Sequence, residues 1–246
     1  IKEMSCLKNS VMLNTQYRMH PDISRLPNKL FYDDKLIDGV RPEDRKIAPN
    51  FIFKKHLNFI NFNHEEEKNG TSYINQEEIN QVLKFVNSLI SSGVQSSQIG
   101  VISAYGAQTQ LISENLRKTG RRIKVSTIDS FQGSQKDYII ICTTRCGGSL
   151  GFLTDKRRMN VGITRARCLV AIFGNEKTLS QSPCWKSVID YTKENNSYYE
   201  KLPMNIDKQK SKPIIISKNK GDFERVMVTE FKEEPADAGY NLRVIR

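Results

Sequence analysis

The sequence predicts an α/β fold, a parallel β-sheet flanked by helices. Two observations carry that expectation. Three short apolar runs rich in β-branched residues recur along the chain, and amphipathic stretches with helical spacing lie between them. Continuous runs suit strands buried on both faces, as in a parallel sheet. A sheet with one wet face would instead alternate apolar and polar residues. Strands that alternate with helices are joined by crossover connections, which are right-handed.

The elements follow in order. Pro21-Asp22 can open a helix. Asn75-Gln76-Glu77-Glu78 reads as an N-cap with Glu at the third helical position, a capping-box-like start. Ile79, Val82, Leu83, Val86 and Ile90 then keep helical spacing, and Gly93 ends the pattern. Ile99-Gly100-Val101-Ile102 is the first apolar run. Residues 108–118 form a second helical pattern, with Leu111, Ile112 and Leu116 inward and Gly120 beyond its end. Residues 138–142 and 169–173 are the other two runs, and residues 154–167 between them read as a third helix. After about Leu202 the chain turns proline- and lysine-rich with little periodicity. Residues 203–246 therefore read as a linker or tail, in which 214–216 and 226–228 can each add a short strand.

Composition narrows the function. The chain has 38 Lys and Arg against 27 Asp and Glu, a net charge of +11 over 246 residues. Such a balance suits a polyanion such as nucleic acid, though a basic soluble protein would show it too. No run of about 18 apolar residues exists, so no membrane span is expected. The five cysteines are scattered without a CxxC pair, and the three histidines do not cluster with them. A zinc site is not expected, and a reducing compartment is; Cys142 and Cys168 read as buried thiols. The start, Ile1-Lys2-Glu3-Met4, has neither an initiator Met nor a signal-peptide stretch, and reads as part of a longer protein.

An NTPase needs a glycine-rich loop leading into Lys and Ser or Thr, whose amides and ammonium cradle the phosphates. None of the 14 glycines is followed by Lys, and no acidic Mg²⁺-binding element is evident. This sequence alone is not expected to hydrolyse ATP.

Three segments stand out nevertheless: residues 16–21 (QYRMHP), 126–133 (STIDSFQG) and 157–167 (RRMNVGITRAR). Taken singly, each also reads as ordinary structure: a helix start, a strand ending at a turn, and an amphipathic helix with a solvated basic face. On a helical projection of the third, Met159, Ile163 and Ala166 form an apolar stripe. Arg158, Gly162 and Arg165 lie beside it, the arginines two turns apart. A glycine there would leave space for another surface. A guanidinium held on a packed helix can stabilise charge on a transferring phosphoryl group.

In this order and spacing the segments resemble motifs IV, V and VI of superfamily 1B helicases, and most closely the up-frameshift (regulator of nonsense transcripts) family. The resemblance covers roughly residues 9–200 and includes the strings QYRMHPDIS, GTSYIN, STIDSFQG, GFLTDKRRMNVGITRAR and GNEKTLSQSPCW. It implies that residues 1–202 are a RecA-like second motor domain, a P-loop NTPase fold without its P-loop. ATP would lie in a cleft against a first RecA-like domain, which would supply the P-loop and the Mg²⁺ ligands. The resemblance implies that Arg18 and Arg165 reach the γ-phosphate and that Tyr17 stacks on adenine, with Gln16 and Gln135 also at the nucleotide. Arg158 and Arg167 are expected in structural ion pairs. Thr127 and Gln132 match positions facing bound nucleic acid. Ser103 and Tyr105 are candidates for the same groove, with strand-end packing an equal alternative.

The sequence departs from the family at three places. Gln135 stands where a Glu usually contacts the nucleotide sugar, Ala104 where Pro is usual, and Gly162 where Ala is usual. The resemblance further implies an ATP-dependent 5′→3′ helicase acting on single-stranded RNA, in nonsense-mediated mRNA decay. Decay factors would be its partners and the cytoplasm its compartment, with the nucleus as the alternative. A senataxin-like RNA/DNA helicase and a non-catalytic RNA-binding scaffold are the competing readings.

Overall fold

The computed structural model describes residues 12–203, together with the backbone of 214–218 and 222–226. The described elements in chain order are β1 (Thr15–Gln16), α1 (Pro21–Phe31), β2 (Ile37–Asp38), β3 (Leu57–Asn61), β4 (Glu67–Asn69) and β5 (Ser72–Ile74). Next come α2 (Gln76–Ser91), β6 (Ile99–Ser103), α3 (Gly106–Lys118), β7 (Lys124–Thr127) and β8 (Lys136–Cys142). After them follow α4 (Lys156–Ile163), β9 (Ala166–Gly174), α5 (Glu176–Leu179), α6 (Pro183–Glu194), β10 (Tyr198–Tyr199), β11 (Ile214–Lys218) and β12 (Asp222–Val226).

A six-stranded sheet in the order β10-β3-β9-β8-β6-β7, parallel throughout, forms the centre. Its middle strands explain the unbroken apolar runs. Side chains alternate across a strand, and here both faces are covered. Tyr138, Ile140, Cys142, Leu169, Ala171 and Phe173 pack on one side with Ile79, Val82 and Phe85 of α2 and Ile112 and Leu116 of α3. Ile139, Ile141, Val170 and Ile172 pack on the other with Ile23 and Leu26 of α1, Met159 and Ile163 of α4, and Trp185 and Val188 of α6. This is the expected α/β architecture.

Gly93 and Gly120 lie beyond α2 and α3 at φ +90° and +73°. Only glycine takes that conformation without strain, so both helices stop where the sequence places their ends. Cys142 and Cys168 are buried. Among the described residues no helix is long and apolar enough to cross a membrane.

In the six-stranded sheet β3 and β10 escaped the sequence reading, and β7 was read only as a strand ending at a turn. β3 carries Asn58 and Asn61, which break its apolar pattern; Asn58 is fully buried and donates to the Lys55 carbonyl at 2.6 Å. β7 and β10 are edge strands too short or too polar to stand out. The third helix also needs correction. It spans Lys156–Ile163, opened by Asp155, whose side chain accepts from the Arg157 N–H at 2.8 Å. It does not continue to residue 167, because Ala166 pairs with Lys136 and starts β9, while the Lys136 N–H donates to the Arg165 carbonyl. Sheet pairing takes over from helix propensity there. Arg165 thus sits in the turn after α4 and shares no helical stripe with Arg158. Nor does Gly162 admit an outside surface, since a Cβ there would meet Ile141 Cδ1 of β8 at 3.3 Å.

Asn75 caps α2 as expected, accepting from the Glu78 N–H at 3.0 Å. The reciprocal half of the capping box does not form. The Asn75 N–H goes to Gln108 Oε1 instead (2.9 Å), and the Glu78 carboxylate turns to Thr144, accepting from its N–H at 3.0 Å and its hydroxyl at 3.2 Å.

The chain divides into two compact units, Ile1–Ile206 and Asp207–Arg246. In the second, β11 and β12 pair antiparallel, Ile214 opposite Val226. These strands overlap the two short runs read from the sequence, although 227–228 lie outside the described residues, as does most of the expected 203–220 linker.

Candidate functional site

The turn between β1 and α1 is held by one amide. Gln16 Oε1 accepts from the N–H groups of Arg18 (2.9 Å) and Met19 (2.8 Å). Its Nε2 donates to the Met19 carbonyl (2.9 Å) and to Asp38 (2.6 Å). An amide offers two donors and two acceptor sites, and all four are used. Gln16, expected at the nucleotide, spends its side-chain hydrogen bonds on holding this turn.

That turn presents Tyr17 and Arg18. Tyr17 is 71% exposed. Its ring lies against Gly39 at the end of β2, where a Cβ would stand 2.3 Å from Cε1. Arg18 crosses to a distant part of the chain. Its Nε donates to Gln135 Oε1 at 2.8 Å, and a terminal nitrogen donates to the Thr164 carbonyl at 2.9 Å. Arg165, the next residue, is half-buried and anchored by Nε to the Val161 carbonyl at 3.1 Å. Burial first, and the charge of Arg18 second, hold the Arg165 guanidinium below its ordinary value. It remains a cation, since a guanidinium does not lose its proton in a protein.

The surrounding charges are unbalanced. Arg158 pairs with Asp129 at 3.0 Å and Arg167 with Asp137 at 3.3 Å, as expected of structural cations. Among the described residues Arg18 and Arg165 have no carboxylate partner. Asp38 is taken by Gln16 and by the Ser24 hydroxyl (2.6 Å). Two neighbouring cations without an acid repel one another, and an anion between them would remove the repulsion. The sequence did not reveal Arg45, whose guanidinium braces this turn from outside by donating to the carbonyls of Arg18 (2.9 Å) and Tyr17 (3.3 Å). It lies in a short helical turn without a motif of its own, and only the folded chain brings it there.

The expected nucleic-acid residues lie at the opposite end of the sheet. Gln135 and Arg165 precede β8 and β9, whereas Thr127 and Ser103 end β7 and β6 side by side. Thr127, on the edge strand, stays partly open, its hydroxyl donating to Ser130 Oγ at 3.1 Å. Ser103, on an interior strand, is fully buried and shares a hydrogen bond with Thr144 (3.2 Å). Tyr105 is 3% exposed and packs edge-on against Tyr73. Both thus sit as strand-end packing residues, the alternative held open for them beside the groove. Gln132 is exposed beside Gly133. The segment 128–135 runs from the Thr127 end of the sheet back to Gln135. It is pinned midway by Phe131, which fills the space above Gly100, where a Cβ would meet its ring at 2.7 Å.

One group of metal-capable side chains exists among the described residues, His20, Asp22 and His56. The two rings stack 3.4 Å apart and within 7° of parallel. Imidazole lone pairs lie in the ring plane, so parallel stacked rings do not aim them at one ion. His20 Nδ1 is also committed, accepting from the Asp22 N–H at 3.1 Å.

Comparison with known proteins follows the same lines. A model of an AAA domain matches residues 2–177. Regulator of nonsense transcripts 1 of Dictyostelium discoideum is 36% identical over 222 residues, covering 85% of this chain and 16% of that protein. The regulator of nonsense transcripts 1 homolog of Arabidopsis thaliana is 37% identical over 217 residues, 81% of this chain and 17% of that one. ATP-dependent helicase NAM7 of Saccharomyces cerevisiae is 34% identical over 206 residues, 77% and 21% respectively. The chain thus spans between 16% and 21% of the length of these relatives.

Proposed function

Since this chain belongs to the AAA domain family, as a superfamily 1 helicase domain of the regulator of nonsense transcripts type, we propose that it is the second motor domain of an ATP-dependent 5′→3′ RNA helicase. It acts on single-stranded RNA in nonsense-mediated mRNA decay, in the cytoplasm. The observation that carries the reading is the pair of neighbouring guanidiniums, Arg18 and Arg165, without a carboxylate partner among the described residues.

ATP fits this surface. During phosphoryl transfer, negative charge spreads over the γ-phosphate oxygens, and catalysis is mostly positioning and charge stabilisation. Arg18 and Arg165 supply that charge, each already oriented by a backbone carbonyl, so little reorganisation accompanies the reaction. Tyr17 offers an open ring to the adenine. Gln135 takes the sugar contact, and its bond to Arg18 ties the sugar and phosphate ends of the nucleotide together. Mg²⁺ finds no fitting set of ligands beside the two arginines, and its ligands belong with the P-loop on the first motor domain. Thr127 and Gln132 contact the nucleic-acid backbone, which positions a strand without reading its sequence.

Joining this chain to the P-loop-bearing domain of one of its relatives tests the reading. ATP hydrolysis stimulated by poly(U) is expected from the joined protein, and none from this chain alone. A joined protein no faster than the P-loop domain by itself, with or without RNA, would sink it. Stimulation by poly(dT) in place of poly(U) would move the assignment to a DNA-directed helicase.

Gly39 offers a separate check on Tyr17. In Gly39→Ala the new methyl and the ring cannot both keep their places. The ring is exposed and swings away cheaply, so stability should change by no more than about 0.5 kcal/mol. The KM for ATP of the joined protein should rise several-fold with little change in kcat. An unchanged KM would show that the ring's position does not matter to the nucleotide.

A further inference from the structure

Two large aromatic side chains stand well exposed among the described residues, Tyr17 and Phe152. The nucleotide accounts for the first. Phe152 is 55% exposed, in the short helical turn that precedes α4. It is not a loose side chain. Tyr105 meets it at 6.1 Å between centroids and 61° between planes, and the Arg158 guanidinium lies 5.3 Å from its ring centre. Arg158 is fixed in turn by two bonds to Asp129, from Nε at 3.1 Å and from a terminal nitrogen at 3.0 Å. Beside the ring is a cavity of about 120 Å³ lined by Ala104, Thr127, Ile128, Asp129, Phe152 and Arg158.

These groups suit one kind of ligand. A held aromatic face takes any nucleobase, because every base has a π-face. A guanidinium and a hydroxyl at the rim take the sugar and phosphate attached to it. The net charge of +11 favours a polyanion over a neutral partner. We propose that Phe152, Arg158 and Thr127 form a seat for one unstacked base of a single-stranded nucleic acid, with Phe152 as the stacking platform. The seat is sequence-tolerant, since none of its contacts reads a base edge. The proposal rests on the reading of this domain as one that binds single-stranded RNA. It also gives Tyr105 a use, as the buried support behind Phe152 rather than a contact of its own.

The test is fluorescence anisotropy of the whole chain at low salt with two labelled probes, a U12 oligonucleotide and an abasic 12-mer of the same backbone. The unsubstituted chain should bind U12 about five- to tenfold more tightly than the abasic strand, as one stacked base predicts. Phe152→Ala should close that gap while leaving affinity for the abasic strand unchanged. Phe152→Trp should keep it, and Arg158→Met should weaken both probes. Circular dichroism checks that each variant is folded, which the exposure of Phe152 favours. Phe152→Ala with the gap intact overturns the seat. Equal binding of both probes by the unsubstituted chain overturns the seat alone and leaves RNA binding standing. Binding of neither probe overturns the seat together with the reading beneath it.

Discussion

Arg165→Ala in the joined two-domain protein should lower RNA-stimulated ATP turnover by about 10³-fold, the lower end of what a phosphate-reaching arginine contributes. The loss should fall on kcat more than on KM, because the charge that Arg165 meets is greatest in the transition state. Arg18→Ala should be nearly as severe, and the double variant little worse than either, since the two guanidiniums act on one group of oxygens. Folding should survive. Among the described residues the Arg165 side chain makes one hydrogen bond, to the Val161 carbonyl, and its removal relieves the repulsion from Arg18. Arg165→Lys keeps a charge but loses the planar fork, and should recover only a small part of the rate. Turnover within a few-fold of the parent for Arg165→Ala, measured on protein with an unchanged melting temperature, would remove Arg165 from the mechanism.

The second large effect concerns stability and lies in the interior. Glu78 is fully buried, and burial pushes its carboxyl up to about 8. It accepts from Gln108 Nε2 at 2.6 Å and from the N–H and hydroxyl of Thr144. Thr144 is a β-branched residue held at φ +67°, a conformation that such a residue keeps only when its surroundings fix it. Glu78→Ala would leave the Thr144 N–H buried without a partner, take one of two bonds from Gln108 Nε2 and from the Thr144 hydroxyl, and free Thr144 to relax. A loss of about 3 kcal/mol is expected in urea denaturation. The pH dependence has a definite sign. The folded carboxyl holds its proton to a higher pH than the unfolded one, so its stabilisation is complete below about 4.5 and is lost as pH rises towards about 8. The full span is on the order of 5 kcal/mol. Glu78→Gln cannot ionise, and should gain on the parent steadily between those limits. His20 and His56, both lowered chiefly by burial, act in the opposite sense, losing stability as pH falls through their range. They are common to both proteins and cancel in the difference. A constant difference between parent and Glu78→Gln from pH 5 to pH 8 would show that the carboxyl does not titrate there.

Much of the fold was legible because its signals are local. Unbroken β-branched runs mark strands buried on both faces, and the three that were read form the middle of the sheet. Helix ends were legible where glycine or a capping side chain marks them, as at Gly93 and Asn75. The boundary between α4 and β9 was not. Residues 164–167 have no local preference strong enough to announce the change, and pairing with β8 decides it. The same holds for the polar strand β3, where Asn61 meets Glu176 and Glu200 only because the folded chain brings them together.

The site divides in the same way. Arg18, Arg165, Tyr17 and Gln135 were read from motif order, and the structure brings Arg18 onto Gln135 across 117 positions. Gln16 lay in a motif and Tyr105 just past a predicted strand, and each spends its side chain on its own surroundings, Gln16 on its turn and Tyr105 on packing against Tyr73 and Phe152. Arg45 and Gly39 lay outside the quoted strings, and Phe152 lay within one without a role assigned to it. A brace, a gap and a platform are defined by what lies opposite them.

The sequence by itself determined the chemistry available: a parallel sheet, arginines in motif order without a phosphate-holding loop, and a basic composition. Tertiary structure decided which surroundings each of those groups meets. Arg158 and Arg165 are seven residues apart and alike in chemistry, but sheet pairing lifts Arg165 off the helix beside Arg18, whereas Arg158 pairs with Asp129 and lies over the Phe152 ring. The physical reason is that a side chain's type is written locally, while its hydrogen-bond and charge partners come from strand order and register, which join residues far apart in the chain.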